Sequence, residues 1–221
     1  NKILKILVLA AHPDDEVLGM GGTIKKLSKL DNKIHLCIIT EGASAQYKNK
    51  KMIKIRKDAC IASGKILGIN DFSFLGFPDA KLDSIPQLEI NKKIEKIILK
   101  IKPDIVYTIS DGDNSKDHEK VFESALVAAR PIASTVKKIL SYELPGLRRT
   151  PFSPNVFEDI TNEIKFKNKA FSSYESEIES YPHPRSIEAI ESLAKYRGTQ
   201  SGMRFAEAFK LILEIKKERK N

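Results

Sequence analysis

The sequence has no tryptophan, only two cysteines, and no stretch approaching the ~20 apolar residues that a helix needs to cross a bilayer. A helical membrane span is therefore not expected. With no Cys-x-x-Cys pair, a disulfide framework or thiolate metal site is not expected either. Cys37 falls in an apolar strand-like run and Cys60 in a helical pattern, so both read as reduced core thiols. Glycine is sparse, and its densest cluster, "GMGG" at 19–22, lacks the Gly-x-Gly-x-x-Gly spacing of a phosphate-cradling loop. Close packing of the first helix is the better use for it. The apolar run near the N-terminus ends at a histidine and three acids, which no signal peptide carries, so a cytoplasmic location is expected.

What the chain does carry is charge and aliphatic carbon. At 221 residues, 41% hydrophobic and 30% charged, it can bury a sizeable core. No linker, repeat or low-complexity tract interrupts it, and one domain over residues 1–221 is the expectation. Lysine and isoleucine are spread along the whole length, so the net charge of +9 reads as a compositional bias. No recognition motif or aromatic-rich basic face accompanies it, and a nucleic-acid partner is not expected. The densest cluster, "KNKKMIKIRK" at 48–57, has six cations in ten residues. It is either the solvated face of a helix or an anion-attracting rim for a phosphorylated substrate.

Short β-branched runs alternate with longer amphipathic ones. "ILKILVLA" (3–10), "KIHLCIIT" (33–40), "FSFLG" (72–76), "DIVYTIS" (104–110) and "KKILSYE" (137–143) read as strands. The first and fourth are apolar enough to be buried on both faces. Between them, 17–31, 50–68, 88–102 and 117–130 have helical spacing, with Ile90, Ile94, Ile97, Ile98 and Ile101 marking one face. The alternation predicts an α/β fold: a Rossmann-like, mostly parallel sheet flanked by helices. After "TPFSPN" (150–155) the pattern predicts a strand at "VFEDI" (156–160) and helices over 162–179, 186–197 and 204–219, a helical C-terminal elaboration.

Ligands of an open parallel sheet sit beyond the carboxyl ends of its strands. "HPDDE" (12–16) follows the first strand and "DGDNSKDH" (111–118) the fourth, so both polar clusters lie there. Adjacent carboxylates repel unless a cation sits among them, and a divalent metal would serve. His12 and Asp15 can converge across a turn stiffened by Pro13, and His118 is the obvious third ligand, completing a catalytic-type zinc set. Asp14 is then beside the metal without binding it, placed to take a proton from water. The competing reading makes Asp14, Asp15 and Glu16 helix N-terminal acids favoured by the macrodipole, with His12 a loop residue. It explains one carboxylate well and three poorly. A non-catalytic nucleotide- or metal-binding module on the same sheet also stays open.

"AHPDDEVLGMGGTI" together with "GDNSKDH" resembles the zinc-dependent N-acetylglucosaminyl-phosphatidylinositol de-N-acetylases, the PIG-L or LmbE-like deacetylases. The likeness runs on through "KPDIVYT" (102–108) and "YPHPRSIEAIESLAKYRG" (181–198), similar to the branch in bacterial sugar and glycan pathways. It implies one Zn²⁺ per chain on His12, Asp15 and His118, replaceable by other divalent cations, with Asp14 as general base. The implied reaction removes acetyl from a small acetamido sugar, and a phosphate-bearing carrier would suit the net charge. Glu16 would support the loop through hydrogen bonds. Arg56 matches an arginine that recurs in the family, ordinary surface placement being the alternative. Asp117 either orients an imidazole or caps its helix. Asp113 and Ser115 are candidates for support or substrate contact. A homo-oligomer is compatible with the sequence.

One departure matters. Many relatives have a further histidine three residues before the last zinc ligand, where this chain has Ser115. His183, rigidified between two prolines and followed by Arg185, is the candidate for that vacant oxyanion-stabilising role, on a loop expected to fold over the site. Lys48, Lys51, Arg56, Arg148 and Arg149 are the candidate phosphate contacts.

Overall fold

β1 (Lys5–Ala10) is buried from Ile6 onward, as a run of Ile, Leu, Val and Ala must be when both faces of its strand are covered. A computed structural model describes residues 2–216. β1 is followed by α1 (Asp15–Lys29), β2 (Lys33–Thr40), α2 (Lys51–Leu67), β3 (Asp71–Phe77), α3 (Gln87–Ile101), β4 (Ile105–Ile109), α4 (Lys116–Ala128) and β5 (Lys138–Tyr142). The C-terminal third adds β6 (Val156–Asp159), α5 (Ile164–Phe171), α6 (Ile187–Ser201) and β7 (Ala206–Glu214). The seven strands are ordered β3-β2-β1-β4-β5-β7-β6. β1 to β5 are parallel, and β7 runs antiparallel to both its neighbours. α1, α2 and α5 pack together, as do α3 and α4, so helices cover both faces. Ile90, Ile94 and Ile98 are the buried face of α3.

The chain reverses direction across the sheet at β1 and β4, whose neighbouring carboxyl ends form the crevice where such folds bind ligands. Both acid-and-histidine segments emerge there.

Two expectations for the last third need correction. Residues 206–214 form strand β7 where helical spacing suggested a helix over 204–219, of which 217–219 lie outside the described residues. Ala, Glu, Lys and Leu are good helix formers, but here pairing with β5 and β6 overrides propensity. The helix over 162–179 ends at Phe171, and Glu175–Glu177 make one 3₁₀ turn.

Glu207 explains why β7 is hard to read. It is a buried carboxylate in a strand, accepting hydrogen bonds from the backbone N–H of Gly22 (3.0 Å) and Thr23 (2.6 Å) and from Lys167 Nζ (2.7 Å). Helix α1 is kinked at Met20, which frees those N–H groups, and Glu207 caps the second segment from across the core. The helix also lies close to its neighbours: a Cβ added at Gly22 would come within 2.7 Å of Ile160 Cγ2. Cys37 and Cys60 are buried free thiols, and burial pushes the Cys37 thiol up to about 12. No helix among the described residues is long and apolar enough to cross a membrane.

Candidate active site

The loop leaving β1 turns sharply enough to hold Asp14 at φ 120°, a left-handed conformation that costs a non-glycine residue about 1–3 kcal/mol. Its surroundings hold it there. Glu16 Oε2 accepts the Asp14 N–H at 3.1 Å, and Glu16 Oε1 accepts from the Tyr174 hydroxyl. Arg56 donates to the backbone carbonyls of Gly42 and Pro13, the latter at 2.7 Å. Arg56 is buried, so surface placement is excluded; it straps the loop from α2.

The strained turn brings His12 and Asp15 together, and α4 delivers His118 to them. His12 Nδ1 lies 3.3 Å from Asp15 Oδ2, His118 Nε2 3.5 Å from Asp15 Oδ1, and the two ring nitrogens 3.2 Å from each other. Each imidazole is held from behind by carboxylates. His12 Nε2 is 3.0 Å from Asp117 Oδ2 and 3.2 Å from Asp79 Oδ1; His118 Nδ1 is 3.0 Å from Asp113 Oδ1.

Asp117 therefore orients an imidazole rather than capping α4. Its carboxylate also accepts from the N–H groups of Ala80 (2.8 Å) and Leu82 (2.9 Å), while Ser115 is the N-cap, accepting from the His118 N–H. Asp113 is itself braced, accepting from the Ser115 N–H at 2.9 Å.

The donor set fits a divalent metal. One ligand atom from each of His12, Asp15 and His118 lies within 4.8 Å of the others, and two imidazoles with one carboxylate suit zinc with a position left for water. Carboxylates behind the rings would fix the outward N–H and leave the inward nitrogens as lone-pair donors. His12, Asp79 and Asp117 form a second such group, but the Asp117 oxygens already serve two backbone N–H groups and Asp79 Oδ2 accepts from Ala45 N at 3.3 Å.

The electrostatics follow from this packing. Burial pushes His12 down, but the Asp15 charge and contacts with Asp117 and Asp79 outweigh it and hold the imidazole well above its usual value. His118 is raised to about 9, burial again being outweighed by Asp15 and Asp113. Asp15 is held well below the carboxylate range, burial being overcome by His118 and His12. Burial raises Asp14 to about 6 against the pull of Arg185 and Arg56, and raises Glu16 to about 8.

The cleft in front of this cluster encloses about 240 Å³, with His12, Gln46, Arg56, Asp79, His118 and Arg185 on its walls. Arg185 reaches it; His183 does not. His183 is exposed, and its Nδ1 accepts the backbone N–H of Arg185 at 3.1 Å. The loop turns Arg185 inward instead, its Nη2 3.4 Å from Asp14 Oδ2.

The candidate phosphate contacts are likewise spoken for or peripheral. Arg148 and Arg149 brace the loop after β4 through the carbonyls of Asp111 and Asp113, and Arg149 pairs with Glu119. Lys48 and Lys51 are exposed and do not line the cleft.

Sequence reasoning missed Asp79 and Glu177. Asp79 follows the carboxyl end of β3, where the rule that located the other two clusters would have pointed. Glu177, buried in the 3₁₀ turn, belongs to no local motif.

The chain is similar to known proteins in both sequence and fold. The sequence model of the GlcNAc-PI de-N-acetylase family, PIG-L, matches residues 7–129. The chain is 26% identical to the diacetylchitobiose deacetylase of Thermococcus kodakarensis over 96% of its own length and 84% of that protein. It is 32% identical to the uncharacterized deacetylase YaiS of Escherichia coli K12, over 74% of this chain and 85% of that one. Among solved structures, GalB, the 4-carboxy-2-hydroxymuconate hydratase of Pseudomonas putida KT2440, superposes with a TM-score of 0.81 at 19% identity, covering 99% of this chain and all of that one. That last likeness shows the fold alone.

Proposed function

The chain belongs to the PIG-L family of GlcNAc-PI de-N-acetylases, and from that premise we propose that it is a zinc-dependent hydrolase of N-acetylated amino sugars. Water adds to the acetamide carbonyl carbon, the C–N bond breaks, and acetate and the free amine leave. Because a hydratase shares the fold, the fold does not choose the reaction. The observation that carries the reading is the convergence of His12, Asp15 and His118 beside a buried Asp14, neither of whose oxygens has a hydrogen-bond partner and of which only Oδ2 is ion-paired.

His12, Asp15 and His118 would hold the zinc, which when bound supplies a Lewis acid that polarises a carbonyl and lowers the pKa of water from 15.7 to about 7. Asp117 and Asp79 orient His12, and Asp113 orients His118. Asp14 takes a proton from the attacking water and returns it to the departing nitrogen. Burial pushes its carboxyl up from the usual range while Arg185 and Arg56 hold it down, the balance a group needs to take a proton and give it back. Glu16 and Arg56 keep its strained backbone in place. His183 is assigned no step. Residues of the C-terminal third, Glu177 and Arg185 among them, help build the site, which supports reading the chain as one catalytic domain.

Acetate release by the zinc-loaded protein, screened over free, nucleotide-linked and lipid-linked acetamido sugars, tests the reading. Release from at least one class supports it. No release from any, with zinc bound, refutes it.

A further inference from the structure

Asp14 is not clamped by a single cation. Arg56 Nη2 lies 3.2 Å from Asp14 Oδ2 and 3.3 Å from Glu177 Oε2. Arg185 repeats the bridge from the other side, Nη2 at 3.4 Å from the same Asp14 oxygen and Nη1 at 3.0 Å from the same Glu177 oxygen. Two guanidinium groups and two carboxylates thus alternate in a closed ring.

The rest of Glu177 is fixed as well. Its Oε1 accepts from the Tyr47 hydroxyl (3.1 Å) and from Ser176 Oγ (2.9 Å), so all its contacts are made and it is 2% exposed. A carboxylate held by four donors is a rigid reference point. Arg56 has other anchors, the carbonyls of Gly42 and Pro13, whereas Arg185 is on a loop with a side chain 29% exposed. Without Glu177, the Arg185 guanidinium would keep only its contact with Asp14.

We infer that Glu177 is a positioning residue for the proposed deacetylation: it sets Arg185 and Arg56 on one oxygen of Asp14 and leaves the other, Oδ1, free to take the proton. The inference rests on Asp14 acting as the base. It predicts that Glu177 and Arg185 act as one unit, because the arginine's place depends on the glutamate and the glutamate acts through the arginine. A purely structural Glu177 would instead lower stability and leave turnover of the folded, zinc-loaded protein unchanged.

The experiment is a double-mutant cycle with Glu177→Ala and Arg185→Ala in the zinc-loaded protein, with Glu177→Gln as a conservative third variant, read by kcat and KM for an acetamido sugar. Nitrogen NMR of the guanidinium groups reports the clamp without reference to activity. Glu177→Ala is expected to lower kcat by about 10²-fold, the scale of small misplacements of catalytic groups, with KM within about threefold. The double variant should be no slower than the slower single one, since effects within a unit do not add. Resolved, slowly rotating Arg185 NH₂ signals in the wild type should average in Glu177→Gln. Unchanged kcat, additive losses in the cycle, or Arg185 signals as rigid in Glu177→Gln as in the wild type would each overturn the inference. If wild type carries zinc and releases no acetate from any acetamido sugar, the proposed function fails and the positioning role of Glu177 in it, while the NMR still decides whether the clamp exists.

Discussion

His118 Nε2 faces His12 Nδ1 across 3.2 Å, and each ring is backed on its other nitrogen by carboxylate, His12 by Asp117 and Asp79 and His118 by Asp113. Asp15 lies against both facing nitrogens, and a cation there would take their two lone pairs in place of protons. His12→Ala and His118→Ala should each fall from about one zinc per chain to well below it, and lose turnover in step. Metal analysis after dialysis checks this. Stoichiometric zinc in both variants would remove them as ligands.

Asp117 is expected to matter almost as much without touching the metal. Removing a carboxylate that orients a ligating histidine typically costs 10- to 100-fold in metal affinity, so Asp117→Ala should weaken zinc binding by about that factor. Competition with a chelator measures it. Since Asp117 also accepts from Ala80 and Leu82, Asp117→Asn is the companion variant that keeps the volume while changing the charge.

Zinc uptake should expel protons. His118 is raised to about 9 and His12 is raised too, so at neutral pH the metal-free site holds protons that a ligating imidazole must lose. The sign follows: lowering pH below about 9 favours the protonated rings and weakens zinc binding. From about pH 8 to about pH 6 the apparent affinity should fall roughly tenfold or more per unit, one factor of ten for each proton displaced. Calorimetry in buffers of differing ionisation enthalpy counts those protons. An affinity flat over that range would show that neither ring is displaced from a proton.

His183 offers a contrast with its neighbour. Exposed, and with its ring nitrogen turned to the Arg185 N–H, it should tolerate replacement: His183→Ala is expected to keep zinc and change kcat by less than about threefold, far from the 10²- to 10³-fold loss of an oxyanion donor. A loss on that larger scale would return the vacant role to His183.

These residues also mark how far the sequence could be read. The convergence of His12, Asp15 and His118 was legible because each lies in the polar segment that follows a strand's carboxyl end, and β1 and β4 were apolar enough to identify. The parallel half of the sheet followed from the same alternation. β7 was not legible, since Glu207 and Lys210 interrupt its apolar pattern and its partners lie more than 45 residues away. Glu177 was hidden for a related reason. Its partners Tyr47 and Arg56 come from distant parts of the chain, and only folding brings them to one carboxylate and, through Arg56, to Asp14. The choice between Arg185 and His183 turned on which way one short loop points its side chains, which spacing does not encode.

The most direct measurement is acetate and amine release by wild type and Asp14→Asn, both carrying equal zinc, on an acetamido sugar that the wild type accepts. Asparagine preserves the size of Asp14 but cannot take the proton, so turnover should fall by about 10²-fold or more while zinc content stays the same, with wild type releasing one acetate for each amine. Equal turnover by the two proteins would contradict Asp14 as the base, and zinc-loaded wild type that releases no acetate would contradict the deacetylase itself.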